Sequence, residues 1–154
     1  MQVYLMQHAE AKPEEVDPDR SLSEKGRNDI EAVAARASQL QVEVEEIRHS
    51  GKLRAQQTAD ILGDALKPVQ GVNKGSGLGP VDDVKPVAKA LDSESSSLVL
   101  VGHLPFMARI AGLLVAGDIE VPAVKIHNAA LVCLEKKDQY WQVSWILTPE
   151  MAKV

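Results

Sequence analysis

The chain is poor in cysteine and in aromatic side chains, and it lacks any long apolar run. Its single cysteine, Cys133, rules out an internal disulfide and suits a reducing compartment. Cys133 lies in the apolar run 129–134, where it reads as a small buried hydrophobe. One cysteine and four scattered histidines do not make a zinc cluster without acidic help, so no metal is expected. Phe, Trp and Tyr make up only 3% of the chain, so the core has to be built from Val, Leu, Ile and Ala. No apolar stretch approaches the roughly 20 residues that span a bilayer. The N-terminus shows no charged segment followed by a long apolar one, so no signal peptide is read there. A cytoplasmic protein with no membrane partner is expected. Positive charge is in deficit, with a net charge of −5, which argues against a broad basic face and against nucleic acid as a partner.

What is present is ordinary for a globular protein: 154 residues, 45% apolar and 25% charged. A chain of that size buries roughly two-thirds of its unfolded surface, enough for one core. Residues 1–154 read as a single domain without repeats or linkers. Met1 to Gln7 is a short apolar run and reads as a strand buried on both faces. Residues 9–21 are polar, with Pro13 and Pro18, and read as a loop. Ser23 is a helix N-cap candidate, and Ile30, Val33, Ala34, Ala37 and Leu40 follow at helical spacing. Residues 44–49 form a candidate strand. Ser50 is read as the cap of a second helix that carries Leu53, Ala55, Thr58, Ala59, Leu62 and Leu66. Residues 69–72 are a weak strand and 74–80 a Gly-rich loop, which lacks the Gly-Lys-Ser/Thr ending of a nucleotide loop. A helix is expected over 81–91, against the local objection of Pro86. Leu98 to Val101 is the clearest buried strand, and an apolar helix over 106–115 follows. Two further strands, 129–135 and 142–147, flank a polar turn at 136–139. The alternation predicts an α/β fold: three layers, with a central, mostly parallel sheet flanked by helices.

In such sheets, ligands bind beyond the C-terminal ends of the strands. His8 and His103 fall at two of those ends, and His49 ends a third strand. A lone histidine there is more often structural, and His49 is read that way. Two that each follow a strong strand point to a shared pocket. Arg54 lies in the first turn of the helix after His49, and Arg20 lies just before the helix capped by Ser23. A guanidinium fork suits phosphate, although surface exposure is the usual fate of an isolated arginine.

The residues also carry a resemblance. Gln7-His8-Ala9-Glu10-Ala11 resembles the Arg-His-Gly signature of the histidine phosphatase (phosphoglycerate mutase-like) superfamily. The segment Ser50 to Ala59 resembles its Ser-x-x-x-Arg-Ala-x-x-Thr block, and Val101 to Pro105 its block around a second histidine. Arg20 to Gly26 resembles a segment of the short phosphohistidine phosphatases, the SixA type, as does the tail from Trp141 to Met151. The four blocks lie in order at compatible spacings.

The resemblance implies a phosphoglycerate mutase-like fold. It implies a cofactor-independent phosphatase with His8 as nucleophile, His103 as second histidine, and Arg20 and Arg54 as phosphate-binding residues. Its substrate would be a protein bearing phosphohistidine, in signal transduction, and the pocket would take phosphate or sulfate. Gln7 departs from the pattern, because a neutral amide stands where the family has a fixed charge. Weaker phosphate binding, another substrate, or a phosphate- or phosphoprotein-binding module with little or no turnover are the alternatives this raises. Asp82 and Asp83 are the candidate proton donors, with a solvated helix start as the plain reading. His127 is a candidate border residue of the pocket. A metal site built from His8, His49 and His103 is a third reading, disfavoured by the lack of clear carboxylate or thiol partners.

Overall fold

The computed structural model describes residues 1–154. Eleven elements follow one another: β1 (Gln2–Gln7), α1 (Glu24–Gln39), β2 (Glu46–His49), α2 (Leu53–Leu66), β3 (Val72–Lys74), α3 (Lys85–Asp92), β4 (Leu98–Gly102), α4 (Phe106–Ala116), β5 (Leu131–Lys137), β6 (Tyr140–Leu147) and α5 (Pro149–Ala152). The strands form one sheet in the order β3-β2-β4-β1-β5-β6. The first four are mutually parallel, and β5 and β6 are antiparallel. The α/β class and the mostly parallel sheet are therefore as the alternation predicted.

Side chains alternate across a strand, and here both faces are covered. Tyr4, Met6, Val99, Val101 and Ile47 point to the layer of α1 and α2, where Ile30, Val33, Ala59 and Leu62 meet them. Val3, Leu5, Leu98 and Leu100 point to the layer of α3 and α4, against Leu91, Phe106, Met107 and Ile110. This double burial explains the unbroken apolar runs of β1 and β4. Ser23 caps α1 as expected, its Oγ accepting the Gly26 N–H at 3.0 Å.

Several boundaries differ from the sequence reading. β3 starts at Val72, because residues after Pro68 turn through Gly71 at φ +79° before the chain can extend. α3 begins at Lys85, so Pro86 sits in its first turn, where the missing N–H costs nothing. Ser50 does not cap α2: the N-cap is Lys52, with no side-chain cap bond. Ala129, at φ +61°, keeps the chain out of the sheet until Leu131. The hairpin turn narrows to Asp138 and Gln139, because Lys137 pairs with Tyr140. The short α5, which the sequence reading did not anticipate, starts at Thr148, whose hydroxyl accepts the Met151 N–H at 3.2 Å.

α5 is held to α1 by a buried carboxylate. Asp29 lies between Lys25, at 2.6 Å, and Lys153, at 2.5 Å, with its own side chain only 3% exposed. Burial pushes its pKa up, but the two ammonium groups outweigh that and leave it below the ordinary value. A depressed carboxylate pKa adds stability at neutral pH that is lost as the pH falls through the folded value. Asp29→Asn should cost about 1–2 kcal/mol at pH 7, as two charge-assisted bonds to partly exposed lysines become neutral ones. Urea unfolding of the two proteins should converge once the pH drops below the carboxylate range.

Candidate active site

Register places the two histidines. β1 and β4 pair with Gln7 opposite Gly102, so His8 and His103 are the next residues on neighbouring strands. Their ring centroids lie 5.1 Å apart, tilted by 58°. β2 pairs with β4 so that His49 faces Val101, which brings Ser50 level with the same end of the sheet. A hollow of about 370 Å³ opens there. Gln7, His8, Arg20, Arg54 and His103 all line it, together with Glu10 and Asn128.

His8 is almost fully buried. Its Nδ1 lies 2.7 Å from the Ala9 carbonyl oxygen. A carbonyl can only accept, so Nδ1 carries the proton and Nε2 keeps the lone pair. Arg54 Nε donates to that Nε2 at 3.3 Å. Burial lowers the His8 pKa to about 4: the Ala9 carbonyl opposes the shift, and Arg54 and Arg20 reinforce it. The imidazole is therefore neutral at physiological pH.

Ala9 is itself pinned. Its N–H donates to Thr58 Oγ1 at 3.0 Å, and Thr58 Oγ1 donates to the Arg54 carbonyl at 2.8 Å. One buried hydroxyl thus ties the loop that orients His8 to the turn of α2 that presents Arg54. From the other side, Asn128 Nδ2 donates to the His8 carbonyl at 2.8 Å.

His103 is 2% exposed, and burial lowers its pKa to about 3, with His8, Arg54, Lys52 and Arg20 adding to the effect. Its Nε2 lies 2.6 Å from Ser50 Oγ, while its buried Nδ1 has no partner. Ser50, read as a helix cap, is instead the hydrogen-bond partner of the second histidine. Arg20 adopts a left-handed backbone, φ +51°, which is costly for a residue with a Cβ. Its Nε donates to the Lys12 carbonyl at 3.1 Å. Arg20 and Arg54 line the same hollow, and burial, then the charge of Arg20, lower the pKa of Arg54. Two cations, two neutral imidazoles, two side-chain amides and the carboxylate of Glu10 thus line one hollow.

The other candidates lie elsewhere. His49 is buried and its Nδ1 accepts the Gly51 N–H at 3.1 Å. No three potential ligating side chains converge, so His8, His49 and His103 do not form a metal site. His127 is exposed and does not line the hollow. Neither Asp82 nor Asp83 reaches it: Asp82 accepts the Gly79 N–H at 2.7 Å and Asp83 the Lys85 N–H at 3.0 Å. Thr58, Ser50, Asn128 and Glu10 are site residues that the sequence reading missed. Ser50 and Thr58 were inside a block already singled out. Asn128 carried no signal beyond preceding an apolar run.

Residues 3–78 match the model of the histidine phosphatase superfamily, branch 1. The chain is 29% identical over 152 residues to the phosphohistidine phosphatase SixA of Escherichia coli (strain K12), covering 94% of each chain. It is 34% identical over 126 residues to an uncharacterized protein of Picosynechococcus sp., covering 77% of this chain and 75% of that one. Its structure superposes with a TM-score of 0.84 on the protein histidine phosphatase SixA complexed with tungstate, at 26% identity and 97% coverage of both chains.

Two measurements probe the site. In NMR titration both His8 and His103 should ionise below pH 5, and saturating phosphate should raise both midpoints by about one pH unit or more, as an anion favours imidazolium. Thr58→Val leaves the buried Ala9 N–H unpaired and should cost about 1–3 kcal/mol in urea unfolding.

Proposed function

From the premise that this chain belongs to the histidine phosphatase superfamily, and within it to the SixA type, we propose that it is a cofactor-independent phosphatase acting on phosphohistidine in proteins, with His8 as nucleophile. The observation that carries the reading is the His8 ring. Its proton is committed to the Ala9 carbonyl, and its Nε2 lone pair faces a hollow lined by Arg20, Arg54 and His103. A nucleophile needs that tautomer and that neutrality.

The phosphoryl group enters, and Arg54 exchanges the Nε2 lone pair for a phosphoryl oxygen. Nε2 attacks phosphorus, the bond to the substrate nitrogen breaks, and its electron pair leaves with that nitrogen. Arg20, Arg54, the Gln7 amide and His103 hold the equatorial oxygens as charge shifts. The imidazolium character of phosphorylated His8 is balanced by the Nδ1–H bond to Ala9. Water then attacks the same phosphorus, Nε2 recovers its lone pair and phosphate departs. A phosphorylated histidine side chain suits a hollow in which neither Asp82 nor Asp83 is placed to protonate an alkoxide. The half-exposed Leu104 at its rim offers a contact for a protein surface.

The neutral Gln7 favours one other reading, a phosphoprotein-binding module without turnover. Release of phosphate from a phosphohistidine protein in the presence of chelator separates the two: turnover that His8→Ala abolishes supports the phosphatase, and binding without turnover supports the module. Gln7→Arg should tighten inhibition by phosphate about tenfold, as a charged donor replaces a neutral one, with turnover equal or faster. A slower variant that binds phosphate more weakly would contradict this account of Gln7.

A further inference from the structure

Among the side chains lining the hollow, one carboxylate stands out, that of Glu10. None of the steps of phosphoryl transfer to His8 gives it a task. Its presence is also unfavourable on simple grounds, because a negative charge on the hollow that Arg20 and Arg54 line repels a phosphate dianion. Glu10 is nevertheless held with care. Its carbonyl accepts the Ser23 N–H at 3.0 Å, and its Oε1 accepts from Ser23 Oγ at the same distance. Gly26 backs directly onto it: a Cβ there would lie 2.0 Å from the Glu10 carbonyl oxygen. Capping of α1 does not need the carboxylate, since Ser23 already takes the Gly26 N–H. The side chain stays exposed at the mouth, two residues beyond the nucleophile.

We propose that Glu10 recognises the second ring nitrogen of a phosphohistidine, accepting the N–H of its imidazolium form. The inference deepens the phosphatase reading and rests on it. A phosphoimidazole is a good phosphoryl donor when the nitrogen that does not carry phosphorus is protonated, because neutral imidazole then leaves. A carboxylate facing that N–H holds the substrate in this state. When His8 Nε2 bonds to phosphorus, the P–N bond breaks and its electron pair stays on the departing nitrogen. The proton remains on the other nitrogen throughout, so the product is a neutral imidazole and no separate acid is required. A phosphoester offers no such N–H. Its leaving oxygen gains negative charge near the same carboxylate, so Glu10 discriminates against it.

The test compares kcat/KM for phosphoimidazole and for p-nitrophenyl phosphate in the wild type, Glu10→Gln and Glu10→Asp at one pH. The ratio of the two values should fall at least about tenfold in Glu10→Gln, the size of one charge-assisted bond made neutral. The loss should come from phosphoimidazole, and the phosphoester should be turned over faster. Glu10→Asp, which keeps the charge, should lie nearer the wild-type ratio than the amide does. Both substrates changing by the same factor in Glu10→Gln, or an aspartate as impaired in ratio as the amide, would overturn the assignment. A wild type inert on both substrates, or a His8→Ala variant as active as the wild type, would instead overturn the phosphatase reading itself.

Discussion

The backbone of Ala9 is the joint on which the site turns. Its N–H is held by Thr58 from α2, and its carbonyl holds the His8 ring. Strand β1 delivers His8 to the sheet end, but a strand end alone leaves the ring free to rotate and to choose either tautomer. The Ala9 carbonyl removes both freedoms. Because the same Thr58 hydroxyl donates to the Arg54 carbonyl, the ring and the guanidinium are positioned by one shared contact. A displacement of α2 along the sheet would therefore move the imidazole and the cation together.

Burial and charge then act in the same direction. His8 and His103 are both nearly closed to solvent, and each lies close to positive groups that disfavour a further proton. Desolvation leads in each case. The result is a pair of neutral imidazoles beside two permanent cations, a charge distribution that is uncomfortable without an anion and comfortable with one. The overall negative charge of the chain does not contradict this, since the positive field is local and set by Arg20, Arg54 and Lys52.

Much of this could be read in the residues, and the parts that could not share a cause. β1 and β4 announce themselves because burial on both faces leaves unbroken apolar runs. Ser23 shows its role locally, by sitting three residues before the amide it caps. His8 and His103 are marked by following strong strands. Ser50 reads as a cap because its hydroxyl sits before a helix, where capping is the common use; only the β2–β4 register shows that it faces His103. Asn128 depends on an isolated bridge to Gln7 that no periodicity betrays. Glu10 carries no signal of its own, because a lone acid in the polar stretch after β1 reads as loop; only the fold sets it on the hollow that His8 lines. The shifted start of β3 likewise reflects a turn whose position local propensity does not fix.

The pairing of β1 with β4 has a consequence for how the molecule comes into being. β1 takes its central place in the sheet only when the strand from Leu98 to Gly102 is there to pair with it. Until then the stretch from Val3 to Met6 waits unpaired, and the two rings that face each other in the finished protein belong to distant parts of the polymer. Such non-local closure is slow compared with helix formation. A chain cut before Leu98 thus holds His8, Arg20 and Arg54 and still lacks the strand and the histidine that complete the hollow.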